Sequence, residues 1–261
     1  MLRSIFYLFI LSLAARAQMP VSHVVVVSHR GEHLHHPENT IPAFQTAIDV
    51  GADFVEADVR TTADGKLILS HDATVDRRTN GHGEVAKMTF DELRTLDAGV
   101  KTGPEFAGTK MPSFDELLEL AKGKINIYVD VKQVSAKDLL SHLESHGMSD
   151  QVAIHAGTEL SKEIETLNPK LKVSPMSVTV AQVNETVGQL HPKMMAFSFR
   201  YLTPEIITAA KQDNLQIYVD CMGSPDNPQG WQTAINGGAE WIQTDRPGEL
   251  VKYLREKGLH K

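Results

Sequence analysis

The sequence predicts a (β/α)8 TIM barrel carrying one small inserted cap segment. Short β-rich runs alternate with amphipathic helical stretches along the chain, a pattern that means parallel strands flanked by helices. Nine strand candidates occur, and two of them stand too close together for a helix to intervene. Polar residues suited to catalysis gather at the ends of consecutive strands, where barrels build their sites.

The first stretch lies outside the barrel. Arg3 precedes an apolar run from Ile5 to Ala15, and Ala15-Arg16-Ala17 places small residues where a signal peptidase inspects the chain. Residues 1–17 therefore read as a secretory signal peptide cleaved before Gln18. The run falls short of the ~20 apolar residues that span a bilayer. The mature part, 18–261, is expected to be secreted or periplasmic, without a stable membrane anchor. Cys221 is the sole cysteine, so no intrachain disulfide can form.

The strand candidates follow in order: Val24–Ser28, Phe54–Val59, Lys66–Ser70, Ile125–Val131, Val152–His155, Lys172–Met176, Met194–Phe199, Gln216–Val219 and Glu240–Thr244. Thr203-Pro204 pairs a cap with a first-turn proline, and Ser135, Thr158 and Thr179 look like similar helix openings. Thr40 is a candidate cap for the first helix. Asp64-Gly65 between the second and third runs is a hairpin turn signal, and a turn centred there sets Asp58 opposite His71. Counting that hairpin as an excursion leaves eight barrel strands. Residues from about 72 to 112 break the rhythm with Thr79-Asn80-Gly81-His82-Gly83, one helical piece at Phe90–Leu96 and a Gly/Pro-rich tail. They read as a cap inserted over the mouth.

A formal charge of −7 argues against a broad grip on nucleic acid. The strand ends suggest a different chemistry. His29 and Arg30 close the first strand, while Glu56 and Asp58 share one face of the second. His71 and Asp72 close the returning hairpin strand, and Asp130 and Lys132 share a face at the next strand's end. Three crowded carboxylates are stable as anions only around a cation, and oxygen-only ligation suits Mg2+ or Ca2+. Arg30 and Lys132 suit a phosphate, and two histidines can divide base and acid work. The set reads as metal-assisted phosphodiester cleavage.

His29-Arg30-Gly31, Pro37-Glu38-Asn39-Thr40, Gly51-Ala52-Asp53, Glu56-x-Asp58-Val59, Thr62-x-Asp64-Gly65, His71-Asp72 and the closing Gly238–Pro247 block resemble the glycerophosphodiester phosphodiesterases in order and spacing. The resemblance covers about Val24 to Leu250. It implies a barrel with a small cap and hydrolysis of glycerophosphodiesters to glycerol 3-phosphate and an alcohol. By it, His29 and His71 are the acid/base pair, Glu56, Asp58 and Asp130 hold the metal, and Arg30 and Lys132 bind substrate phosphate. It further implies attack by the glycerol 2-hydroxyl through a cyclic phosphate, with either histidine as first base. Two positions depart from the family's usual pattern: Asp130 stands where Glu is common, and Asp220-Cys221 where Trp-Thr is frequent. A lysophospholipase D or sphingomyelinase D type of activity, and a non-catalytic barrel that binds phosphate or metal, are the alternatives. His33, His35, His36 and His82 are expected in solvent, Asp245 in a structural role, and Trp231 and Trp241 in packing. Asp72 orients His71 or Lys132, or is structural, and Glu38 is a candidate support for the metal ligands.

Overall fold

A computed structural model describes residues 22–261. The signal-peptide expectation for 1–17 lies outside the described residues. Strands β1 (Val25–Ser28), β2 (Phe54–Thr61) and β3 (Leu67–Leu69) open the fold, with helix α1 (Ile41–Asp49) between the first two. Helices α2 (Phe90–Thr95) and α3 (Phe114–Ala121) follow. Then β and α alternate: β4 (Asn126–Gln133), α4 (Ala136–His146), β5 (Val152–His155), α5 (Thr158–Leu167), β6 (Lys172–Val173), α6 (Val180–Leu190) and β7 (Met194–Ser198). The chain finishes with α7 (Pro204–Gln212), β8 (Gln216–Asp220), α8 (Pro228–Asn236), β9 (Trp241–Thr244) and α9 (Pro247–Glu256).

Eight strands run parallel in the order β6-β5-β4-β2-β1-β9-β8-β7, and β3 pairs antiparallel to β2 outside that path. The remaining seam, β6 to β7, is closed by a parallel bridge between Met176 and Ala196 and by the Ala196 amide donating to the Pro175 carbonyl at 2.9 Å. β6 is shorter than Lys172–Met176 because Pro175 has no N–H to continue the ladder. The result is a nearly closed (β/α)8 barrel.

Apolar side chains sort by face. Val55, Ala57, Val59, Ile127 and Val129 pack outward against α1, α3 and α4. Val27, Tyr128, Ala153, Met194, Ala196, Tyr218 and Trp241 form a separate cluster that fills the barrel interior, as the alternation of strand side chains requires. Trp231 and Trp241 are both buried in packing. Between β3 and α3, residues Val75, Val85, Leu93, Ala98 and Met111 make a small core of their own on Ile68.

Three local expectations are corrected. The hairpin loop is three residues, Ala63-Asp64-Gly65: the Thr62 amide donates to the Lys66 carbonyl, and Gly65 has φ 78°, the left-handed residue that such a loop needs. Asp58 therefore faces Ser70, whose amide donates to the Asp58 carbonyl at 2.9 Å, and not His71. Thr40 occupies the cap position of α1 without capping it. Pro42 lacks the N–H that a cap would bind, and the Thr40 hydroxyl donates to the Pro37 carbonyl instead. α5 is capped at Gly157, so Thr158 is its first residue rather than its cap. Ser135, Thr179 and Thr203 each cap their helices through the side chain.

Candidate active site

The strand ends of one barrel face line a pocket of about 280 Å³ that contains His29, Arg30, Glu56, Asp58, His71, Asp130 and Lys132 together. All seven residues singled out from the sequence thus meet. Tyr128 and Tyr218 stack at 4.6 Å below them, and His155, Asp220 and Gln243 complete the wall.

β1 delivers its residues through an abrupt turn. Arg30 has φ 52° and Gly31 φ 79°, two successive left-handed residues. A Cβ on Gly31 would lie 2.6 Å from the Ala43 carbonyl carbon, so only glycine lets the loop pass α1 here. The turn aims the Arg30 amide at Glu56 Oε2, 2.8 Å away, and brings its guanidinium 3.2 Å from both Asp58 Oδ2 and Glu38 Oε1.

Glu56, Asp58 and Asp130 offer oxygens within 4.8 Å of one another. Lys132 bridges two of them, at 2.7 Å from Asp130 and 3.2 Å from Asp58. Glu56 is fully buried beside these anions and receives the Arg30 amide. Burial first, then the charges of Asp58 and Asp130, push its pKa well above the usual carboxylate range. A cation among these oxygens would relieve their mutual repulsion, and the donor set fits a hard divalent ion. Asn39 supports the cluster through paired bonds, its Nδ2 donating to Asp58 Oδ2 at 2.7 Å and its Oδ1 accepting from the Asp58 amide at 3.1 Å. Glu38, a candidate for that support, instead binds Arg30, Arg77 and Arg78, and so fixes the guanidinium that faces the pocket.

Each site histidine leans on a carboxylate. His29 Nδ1 donates to Asp245 Oδ1 at 2.7 Å. The same oxygen accepts from His33 Nε2 at 2.8 Å, and Asp226 holds the Asp245 amide at 2.7 Å. Burial lowers the His29 pKa against the opposing pull of Asp245. Burial also resists ionisation of Asp245, but hydrogen bonds and charge from His29 and His33 outweigh it and hold the carboxyl well below its usual range. His71 Nδ1 donates to Asp72 Oδ1 at 2.7 Å, and Asp72 is bound in turn by Arg77. Arg60 fastens the segment by donating to the Ser70 and His71 carbonyls.

Asp245 and His33, expected in a structural role and in solvent, are joined in one hydrogen-bonded chain with the pocket residue His29. Asp72 takes the orienting position toward His71. His35 and His36 pair with Glu32, and His82 is exposed. The sequence reading missed His155, Asn39 and Arg60. His155 ends a predicted strand, so the strand-end rule could have found it; its Nδ1 donates to the Ser174 carbonyl, leaving Nε2 free.

Residues 29–249 match the glycerophosphoryl diester phosphodiesterase family. A glycerophosphodiester phosphodiesterase of Caldanaerobacter subterraneus subsp. tengcongensis is 32% identical over 251 residues, covering 90% of this chain and 99% of that protein. The crystal structure of a glycerophosphodiester phosphodiesterase from Agrobacterium tumefaciens superposes with a TM-score of 0.79 at 29% identity, over 86% of this chain and 97% of that one. An Oleispira antarctica phosphodiesterase, solved with the product sn-glycerol-3-phosphate, shares the fold with a TM-score of 0.82 at 20% identity, over 88% and 96% of the two chains.

Proposed function

The chain belongs to the glycerophosphoryl diester phosphodiesterase family, and from that premise we propose how its own residues hydrolyse a glycerophosphodiester to glycerol 3-phosphate and an alcohol. The observation that carries the reading is the meeting of two carboxylate-braced histidines, two cations and three carboxylates in one pocket.

Glu56, Asp58 and Asp130 would hold a divalent cation, Mg2+ or Ca2+, which when bound supplies charge to a phosphoryl oxygen. Arg30 and Lys132 hold the remaining phosphoryl oxygens. Asp130 is one methylene shorter than the glutamate common in the family, and its 2.7 Å pairing with Lys132 draws the ammonium into the same ring of charges.

Asp245 accepts the Nδ1 proton of His29, so the free Nε2 is a base, and the lowered pKa keeps it unprotonated near neutrality. His29 takes the proton of the glycerol 2-hydroxyl as that oxygen attacks phosphorus in line. His71, braced by Asp72, gives a proton to the departing alcohol oxygen. The product is a cyclic phosphate and a free alcohol. Water then opens the ring with the two histidines in exchanged roles, which returns both to their starting states.

Met176 is the one large apolar side chain of the pocket lining that is exposed, which favours soluble headgroup diesters over lysolipids. No helix among the described residues is long and apolar enough to cross a membrane. The N-terminal pattern supports export with cleavage before Gln18; N-terminal sequencing of the protein recovered outside the cytoplasm checks it.

The reaction is tested with glycerophosphocholine and glycerophosphoethanolamine, detecting glycerol 3-phosphate with a coupled dehydrogenase, in Mg2+, Ca2+ or chelator, beside His29→Ala. The expected result is cation-dependent product that disappears in the variant. Turnover that survives chelation or the variant would refute the assignment. Turnover of lysolipids alone would favour the lysophospholipase D type of activity.

A further inference from the structure

The barrel carries a second cluster of ligating side chains at its opposite face. His23 lies two residues before β1, Asp53 directly precedes β2, and His260 follows α9. All three sit where strands begin, across the barrel from the pocket. Their nitrogen and oxygen atoms lie within 4.8 Å of one another. We infer that His23, Asp53 and His260 form a binding site for a first-row transition ion of the Zn2+ type.

The donor chemistry separates this site from the one at the mouth. Two imidazoles and one carboxylate suit a borderline ion, whereas the all-oxygen cluster suits Mg2+ or Ca2+. The spacing also fits. His260 Nε2 is 3.1 Å from Asp53 Oδ2, and His23 Nε2 is 3.6 Å from Asp53 Oδ1. Ligands on a tetrahedral ion with Zn–N bonds of about 2.0–2.1 Å stand roughly 3.3 Å apart.

The surroundings preset the ligands. The Val26 amide donates to Asp53 Oδ2 at 2.8 Å, and the Val24 amide donates to the Leu259 carbonyl at 2.9 Å, tying the segment before His260 to the first strand. His260 Nδ1 lies 2.9 Å from the main-chain oxygen of Lys261. With the proton on Nδ1, Nε2 turns a lone pair toward the Asp53 carboxylate and can ligate an ion; with the proton on Nε2, the ring donates to Asp53 Oδ2 instead. An ion between the ring and the carboxylate would select the first tautomer. An imidazole that donates its far N–H to a main-chain carbonyl is the usual outer arrangement of a metal-bound histidine. Among the described residues, no lysine or arginine pairs with Asp53 to fill that role. The two rings stand 5.2 Å apart, with the His260 side chain almost wholly buried and His23 open to solvent. An ion therefore enters past His23.

A bound ion would pin the start of β1 and the segment after α9 to the start of β2. That face of a barrel governs stability and not chemistry, so the site stabilises the fold without touching hydrolysis.

The test titrates the full chain with Zn2+ while saturating Mg2+ fills the acidic cluster, following bound zinc by equilibrium dialysis and the unfolding midpoint by calorimetry. At one hundred times the dissociation constant, binding to the native state alone raises the midpoint by roughly 5–10 °C for a chain of this size. The expected result is that His23→Gln/His260→Gln binds one zinc fewer, loses that shift and hydrolyses its substrate at the wild-type rate. An equal zinc count and shift in the variant would overturn the site, leaving an ion pair of protonated histidines. Should the double variant fail to fold, anomalous scattering at the zinc edge from wild-type crystals decides the matter. A peak between His23, Asp53 and His260 supports the site, and zinc found only elsewhere refutes it.

Discussion

The two sides of the mouth use the same pairing in different surroundings. On the β1/β9 side, His29 is 12% exposed and shares Asp245 with His33. On the hairpin side, His71 is 36% exposed, and its partner Asp72 is held by Arg77. Both pairs fix a tautomer and free an Nε2. The first is the more deeply buried, and burial there moves the imidazole toward its neutral form. Under the proposed division of roles, the difference teaches that a base gains from burial in the rigid barrel, whereas a proton donor for a departing alcohol can sit on the wetter hairpin.

The largest effects should break this comparison or establish it. His29→Ala and His71→Ala should each lower kcat/KM by about 10³-fold, within the usual contribution of a positioned acid or base. A diester with an acidic leaving alcohol should restore much of the His71→Ala rate and little of the His29→Ala rate, because such an alcohol departs without a proton. Equal recovery in both variants, or the reverse order, would overturn the division of roles.

Next in size is the brace. Asp245→Asn should cost roughly 100-fold in kcat, since an amide no longer selects the tautomer, and Asp72→Asn should cost less. The pH profile adds a sign. Asp245 raises the His29 pKa by hydrogen bond and charge, against the burial that lowers it. Removing the carboxylate therefore lowers that pKa further, and the acid limb of kcat/KM should move to lower pH while the plateau falls. An acid limb moving upward would mean that His29 is not the base.

The barrel was legible because strand periods and the strand-end rule operate within a few residues. All seven site residues sit at predicted strand ends, as His155 does also. What escaped prediction depends on atoms far apart in sequence. Asp245 and His29 are separated by 216 positions and meet only because β9 pairs with β1. Asn39 looked like part of a helix entry, yet φ 57° turns it onto Asp58. The hairpin register was off by one because Gly65 closes a three-residue loop, a choice set by the Thr62 hydroxyl bonding Asp64 and the Lys66 amide.

A third, smaller effect follows from Asn39. Asn39→Ala should raise the cation concentration for half-maximal activity by about 10- to 30-fold, as loss of a partner behind a ligand commonly does. Cation affinity should also rise with pH in the wild type, because Glu56 must give up a proton that burial and its neighbours retain. The same shift has a consequence for stability without cation. A carboxyl whose folded pKa lies above its ordinary value of 4.5 stabilises the fold below that pH and loses the contribution as pH climbs through the folded value. Added cation should reverse the loss. Thermal unfolding across pH, with and without cation, reads both signs, and a cation effect independent of pH would count against Glu56 as a ligand.

The smallest effect concerns choice of substrate, at Asp220. This residue stands where the family often has tryptophan, and it lines both the catalytic pocket and an adjoining cleft of about 720 Å³ between Ser198–Arg200 and Ser224–Thr233. One carboxylate oxygen accepts the Met222 amide at 3.0 Å, and burial raises the pKa of the group. Under the proposed function the other oxygen would bind a substrate hydroxyl or ammonium lying between pocket and cleft. A tryptophan there offers a flat apolar wall and no such acceptor. Asp220→Trp should change the ratio of kcat/KM between glycerophosphoethanolamine and glycerophosphocholine by about fivefold, the worth of one net hydrogen bond of ~1 kcal/mol. Ethanolamine can donate N–H bonds and choline cannot, so the wild type should favour ethanolamine and the variant should lose that bias. If the ratio holds while both rates fall together, Asp220 shapes the wall without reading the headgroup, and specificity lies deeper in the cleft.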